Sequence, residues 1–272
     1  MNLTFQQDKP SLLDRVGTSR NVDAYVVGAV FLEGGVLAVT LGDGRIAFVN
    51  GDTVEDLHFV SVHDGPCLSL SEDLDGKHVL TGGDDGRLIS TDVHGKTNLI
   101  AEDKGRWVEP VVVSKASALR AAGFGKTVRL FNREGAKVAA FDHSNTVGGL
   151  AFDPTGKRIA AAHYGGASLW WVKASDQKPK LLPWAGSHLS LTWSPDGKYI
   201  VTATQENDLH GWRISDNADM RMSGYPVKVK SMSWLPKGRH LATSGAEPVV
   251  CWPFHGKGGP MGKAPVDLGG GF

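Results

Sequence analysis

Ten histidines, two cysteines and a paired acidic turn are the side chains whose chemistry could reach beyond packing. No two histidines stand at the spacing that sets a metal-binding pair on one helix face. Cys67 and Cys251 lie far apart and neither belongs to a CxxC pair. They read as buried, inert thiols of a reducing compartment. No GxSxG elbow, HExxH helix or phosphate-binding P-loop is present. Asp84-Asp85-Gly86 reads as a turn rather than a metal-ligand set. No metal and no cofactor is expected. The chemistry left to the chain is non-covalent contact by cations and aromatic rings.

Those side chains must be held by something, and an internal repeat supplies it. A short apolar strand, a glycine turn, a second strand, another turn and a third strand recur along nearly the whole chain. The first-turn glycines are Gly35, Gly76, Gly156, Gly197 and Gly238, spaced by 41 or by twice about 40. A second series in the third strand runs Val49, Thr91, Phe131, Trp171, Trp212 and Trp252, at steps of 40 to 42. Two landmarks keeping one period of about 40 indicate four-stranded blades. The flanking runs, such as Tyr199-Ile200-Val201-Thr202-Ala203, are short and rich in β-branched residues, as strands require.

The turns carry a family resemblance. Ser190-Leu191-Thr192-Trp193-Ser194-Pro195-Asp196-Gly197-Lys198 resembles the WD-repeat strand followed by its Ser-Pro-Asp-Gly turn, and Thr81-Gly82-Gly83-Asp84-Asp85-Gly86-Arg87-Leu88 resembles the strand–turn–strand that follows. The chain is similar to degenerate bacterial WD-repeat β-propellers, those grouped with the WD domain of anaphase-promoting complex subunit four. The resemblance implies an all-β propeller of four-stranded antiparallel blades, one domain over 1–272. Six copies are visible over roughly 22–268, in a family that usually has seven. Residues 1–21 form a lead that could add a closing strand, and a final blade is expected to be missing after Leu268.

Departures are clear too. No copy has the Trp-Asp pair, since Val172, Arg213 and Pro253 follow the tryptophans. His63 and His143 hold the family's histidine position, while Trp184 and Tyr225 replace it later. The family's His–Asp–Ser/Thr–Trp network is therefore expected complete in no copy. Trp171, Trp212 and Trp252 are expected between blades, and His63 and His143 as hydrogen-bonding links rather than catalysts.

Register with the family places Arg106, Ser187 and Lys228 in loops entering innermost strands, at the channel mouth. Trp107, Asn145, Trp184, Tyr225 and Lys230 lie close by. The repeat does not require these residue types, and Arg, Trp and Tyr dominate interface energetics. The expected partner-binding set is Arg106, Trp107, Trp184, Tyr225, Lys228 and Lys230. Trp184 and Tyr225 could equally plug the gap left by the missing histidine. The expected function is a cytoplasmic scaffold that binds a protein or peptide and is not an enzyme. The alternative is a propeller enzyme with a small-molecule site in the same mouth. Lys+Arg and Asp+Glu are balanced at 29 each, so no nucleic-acid partner is expected. No membrane partner is expected either, because no apolar run approaches bilayer length.

Overall fold

Alternating apolar residues between glycine turns fold into 22 short strands in this computed structural model, which describes residues 15–50, 54, 56–174, 178–256 and 258–269. Most of the expected N-terminal closing strand, residues 1–14, lies outside the described residues. The first sheet is β1 Val26–Phe31, β2 Val36–Leu41, β3 Arg45–Asn50 and β4 Leu57–Ser61. The second is β5 Cys67–Glu72, β6 His78–Gly83, β7 Arg87–Asp92 and β8 Thr97–Glu102. The third is β9 Val108–Ser114, β10 Leu119–Phe124, β11 Thr127–Phe131 and β12 Lys137–Asp142. The fourth holds six strands: β13 Val147–Phe152, β14 Arg158–Trp171, β15 Lys180–Trp193, β16 Tyr199–Thr204, β17 Leu209–Arg213 and β18 Asp219–Met222. The fifth is β19 Met232–Trp234, β20 His240–Thr243, β21 Val249–Pro253 and β22 Val266–Leu268.

Strands neighbour each other in chain order and pair antiparallel, in a propeller arrangement. The expectation of six separate blades is corrected to five sheets. The fourth and fifth repeats share the six-stranded sheet. Its cause is local. Trp184-Ala185-Gly186-Ser187, in the linker that separates repeats elsewhere, stays extended. One half of β15 therefore pairs with β14 and the other with β16. The ends of β14 are tied to each other, with Val172 N donating to Lys157 O at 3.0 Å.

The core lies between repeats. Successive strand residues point to opposite faces, so each middle strand serves two neighbours. Ile159 and Ala161 pack with Leu119, Val128 and Leu130 of the third sheet, while Ala160 and Ala162 pack with Leu191 and Ile200 of the fifth repeat. Five apolar clusters among the described residues each join two consecutive repeats. None of them joins the first sheet to the last. A buried ion pair reinforces the joint between the second and third sheets. Arg120 Nε and Nη2 donate to Asp73 at 2.6 and 3.0 Å, and Ser90 Oγ donates to the same carboxylate at 2.5 Å.

Trp212 and Trp252 are buried between repeats as expected, but Trp171 is not. Trp171 is 55% exposed, and Trp170 is the buried ring at 8%. The hydrogen bond Ile214 N to Lys198 O accompanies the pair Ile200–Trp212, and Phe254 N to Arg239 O accompanies Leu241–Trp252. Val172 N to Lys157 O, at the same offset, sets Trp170 opposite Ile159. Partners across the inner turn are 11 residues apart in the fourth and last repeats and 12 in the fifth, so a step of 40 from Phe131 reaches Trp171, one residue past the ring that packs inward. A one-residue shift in a strand moves a side chain to the other face. Trp170 stacks on Phe141 with ring centroids 4.7 Å apart. Among the described residues no helix is long and apolar enough to cross a membrane.

Trp170→Ala and Trp212→Ala should each destabilise the fold by about 3–5 kcal/mol, as loss of a buried aromatic does. Trp171→Ala should cost under about 1 kcal/mol, as most exposed positions do. Thermal or denaturant melts of the three variants check this. A larger loss for Trp171 than for Trp170 would reverse the register.

Candidate interaction surface at the channel mouth

Antiparallel pairing sends every linker between repeats, and every turn between middle strands, to one end of the sheets. Consecutive innermost strands touch, from β1 to β5, β9, β13 and the second half of β15, so these loops crowd together. Side chains in the linkers then fix each loop to its blade.

In the second sheet, His63 lies 3.0 Å from Asp85 through Nδ1 and 2.9 Å from Thr81 through Nε2. Three members of the family's four-residue network are therefore assembled here, with Ile89 paired opposite Thr81. Gly83 is required for it, because a Cβ there would stand 2.3 Å from His63 Nδ1. Burial would raise the Asp85 carboxyl, but N–H donation from Arg87 and Asp64 and the His63 ring outweigh it and hold it below its ordinary value. His143 links the next joint. Trp170 Nε1 donates to its Nε2 at 3.2 Å, and its Nδ1 lies 3.3 Å from Lys126 O.

In the last sheet, Tyr225 does the histidine's work. Trp252 Nε1 donates to the Tyr225 hydroxyl at 2.5 Å, which bonds Thr243 Oγ1 at 2.6 Å, and Thr243 donates to Val250 O at 3.0 Å. Tyr225 is only 8% exposed. It plugs the blade, and only a small edge of it reaches a cavity lined also by Ser223 and Trp252. Trp184 is half-buried, and its ring stacks on His210 at 3.8 Å. His210 is fully buried, with neither ring nitrogen hydrogen-bonded. Burial, the leading cause, lowers its pKa to about 4.

The remaining predicted residues are exposed. Trp107 is 68% exposed, and Arg106, Lys228 and Lys230 stand in solvent. Arg106 and Trp107 line a cavity of about 580 Å³ with Glu109, Lys126, Val147 and Leu189. Arg106 Nε is 3.8 Å from Asp103, a carboxylate that Arg129 already engages closely. Its own pairing with that carboxylate is thus a long, shared one. Glu109 is the carboxylate of this cavity, and desolvation raises its pKa. Lys228 and Lys230 sit on the last repeat and share no cavity with Arg106. Asn145 Nδ2 donates to Ser144 Oγ at 3.2 Å, and Ser187 lies in the extended linker of β15. Lys126 and Leu189 escaped the sequence reading. Lys126 belongs to the Gly125-Lys126 turn between middle strands, and those turns reach the same end as the linkers. Among the described residues no three His, Cys, Asp or Glu side chains come together as a metal site.

No protein-family model matches the chain. It is similar to the histone transcription regulator slm9 of Schizosaccharomyces pombe, 36% identical over 73 residues. That match covers 24% of this chain and 9% of the regulator.

His63, His143, His188 and His210 are all held below the ordinary histidine value, with burial the largest cause in each. A lowered folded pKa gives stability that is present above the unfolded value and lost as pH falls toward the folded one. The melting temperature should therefore drop between pH 6.5 and about 4. His210→Phe keeps the stacking and removes one titrating group, so the drop should shrink. An identical pH profile in that variant would contradict the assignment.

Proposed function

We propose that this chain is a binding platform whose channel-mouth face takes an acidic protein or peptide segment. The carrying observation is the cavity that holds Arg106 and Trp107, both exposed, beside Lys126 and Leu189. The guanidinium and the ammonium would pair with carboxylates. The indole and Leu189 would supply apolar contact area. Trp184 adds a half-exposed ring, and Lys228 and Lys230 extend the positive rim. Buried links hold the loops in place, so little ordering entropy is lost on binding. A regulator named for transcription is the relative in hand, and a regulatory name suits binding better than turnover.

The alternative is catalysis on a small molecule in the same cavity. Glu109, with its raised pKa, is the observation that favours it. Glu109 is the one carboxylate among the cavity's lining residues and no histidine lines it, which leaves the binding reading ahead. Glu109→Gln should leave partner binding intact under the platform reading.

Truncating Arg106 and Lys228 together to alanine should weaken partner capture, read by affinity capture from the protein's own cells and mass spectrometry. The melting temperature should stay nearly unchanged, because exposed charges contribute little to stability. Full-strength capture of the same partners by the double variant would move the site elsewhere. Collapse of the fold would make these residues structural.

A further inference from the structure

The opposite end of the sheets carries a second cavity, and its chemistry differs. About 650 Å³ opens between the fifth repeat and the last, lined by Lys198, Lys237, Arg239, His240 and His255, with Asp196 as the carboxylate in the wall. Asp196 is committed to Lys198, at 2.9 Å. Among the described residues neither Lys237 nor Arg239 is in an ion pair. The two imidazoles face each other with ring centroids 5.9 Å apart. Lys263 braces the adjoining loop, its Nζ donating to Gly259 O at 2.7 Å and to His255 O.

The turn that presents Lys237 differs from the aspartate-bearing turns of the second sheet and the fifth repeat. In the second sheet, Asp75 Oδ1 accepts the N–H of Lys77 and of His78 at 2.9 and 3.1 Å. In the fifth repeat, Asp196 Oδ1 accepts from Lys198 N at 3.1 Å and from Ser194 Oγ at 2.7 Å. Pro236-Lys237-Gly238 puts a lysine where Pro195-Asp196-Gly197 has aspartate. An ammonium can accept no N–H. Lys237 also sits at φ 69°, ψ 9°, a left-handed conformation that is strained for a side-chain-bearing residue. Gly238 follows at φ +64°, where a Cβ would press Pro195 at 3.0 Å. The turn thus gives up an acceptor and takes on strain, and what it gains is a positive charge at the cavity. Local rules are broken in this way mostly where a site needs it.

We propose that this cavity binds clustered phosphate groups. Arg239 offers a planar fork matched to phosphate oxygens, and Lys237 and Lys198 offer point charges. The imidazoles can add N–H donors. The volume lies in the range of small-ligand pockets. The site is at the other end of the blades from the peptide surface, so either can fail alone.

Calorimetric titration of the full chain with tripolyphosphate, at fixed ionic strength, tests it. Saturable one-to-one binding is expected. Lys237→Asp restores the turn's acceptor, so it should fold at least as well, and it should lose about tenfold or more in affinity. Arg239→Gln should weaken binding several-fold, roughly the loss of one charged donor pair. Lys104→Gln, exposed at the opposite end of the sheets, should bind like the parent. Phosphate could arrive on a soluble molecule or a lipid headgroup. Sedimentation with phosphatidylcholine vesicles, with and without phosphatidylinositol bisphosphate, separates these sources, and K237D must abolish whichever is found. No saturable binding by the parent chain would overturn the proposal. So would parent-like affinity in K237D and R239Q, or an equal loss in Lys104→Gln.

Discussion

A small β-sheet with apolar side chains on both faces cannot stand alone in water, and that constraint organises this molecule. Every described apolar cluster joins one repeat to the next, and none is confined to a single repeat. Alternation along a strand makes the arrangement possible, since one strand feeds two joints. The middle strands are lined with small residues, Ala121 and Ala122 in one repeat and Ala160, Ala161 and Ala162 in the next. Small side chains let adjacent sheets approach, and the third strand then brings the bulk: Trp170, Trp212 and Trp252 each reach toward the preceding repeat. The innermost strands add a polar tie. Trp193 Nε1 donates to Ala151 O and Trp234 Nε1 to Thr192 Oγ1, each bond crossing 42 residues and one joint.

The proposed binding role rests on a division among polar residues at the mouth. His63, His143 and Tyr225 face inward, buried or partly so, and are hydrogen-bonded to the blade. Their loss would leave partners unsatisfied inside the protein, which is costly. Arg106, Trp107, Lys126 and Lys228 point outward and stabilise little. Because the inner set fixes the loops, the outer set is held in place without ordering on contact. The same logic runs at the other end, where Lys237 replaces a turn-forming aspartate and the turn tolerates it.

Much of this was legible in the sequence. The period of about 40, the turn glycines and the buried Trp212 and Trp252 come from patterns that packing enforces in every copy. Trp171 misled because two tryptophans are adjacent and a step of 40 from Phe131 lands on the second of them, while the ring that packs inward is the first. The shared sheet of the fourth and fifth repeats was hidden because Trp184 to Ser187 look like any linker until their backbone is seen to stay extended. Tyr225 could be read two ways, and only its hydroxyl's partners separate them. Lys126 is hidden in the sequence because it sits in an inner turn rather than in a linker loop, although both reach the same surface.

The most direct test uses the tryptophans themselves. The chain labelled with 5-fluorotryptophan gives fluorine resonances that single substitutions assign, and a poly-glutamate peptide is the titrant. Resonances of Trp107 and Trp184 should shift with saturation, because both rings are accessible at the mouth. Those of Trp170, Trp212 and Trp252, buried between repeats, should stay in place. Shifts confined to Trp171 or to the buried rings, or no saturable shift at Trp107, would contradict the division between the residues that hold the propeller and those that meet its partner.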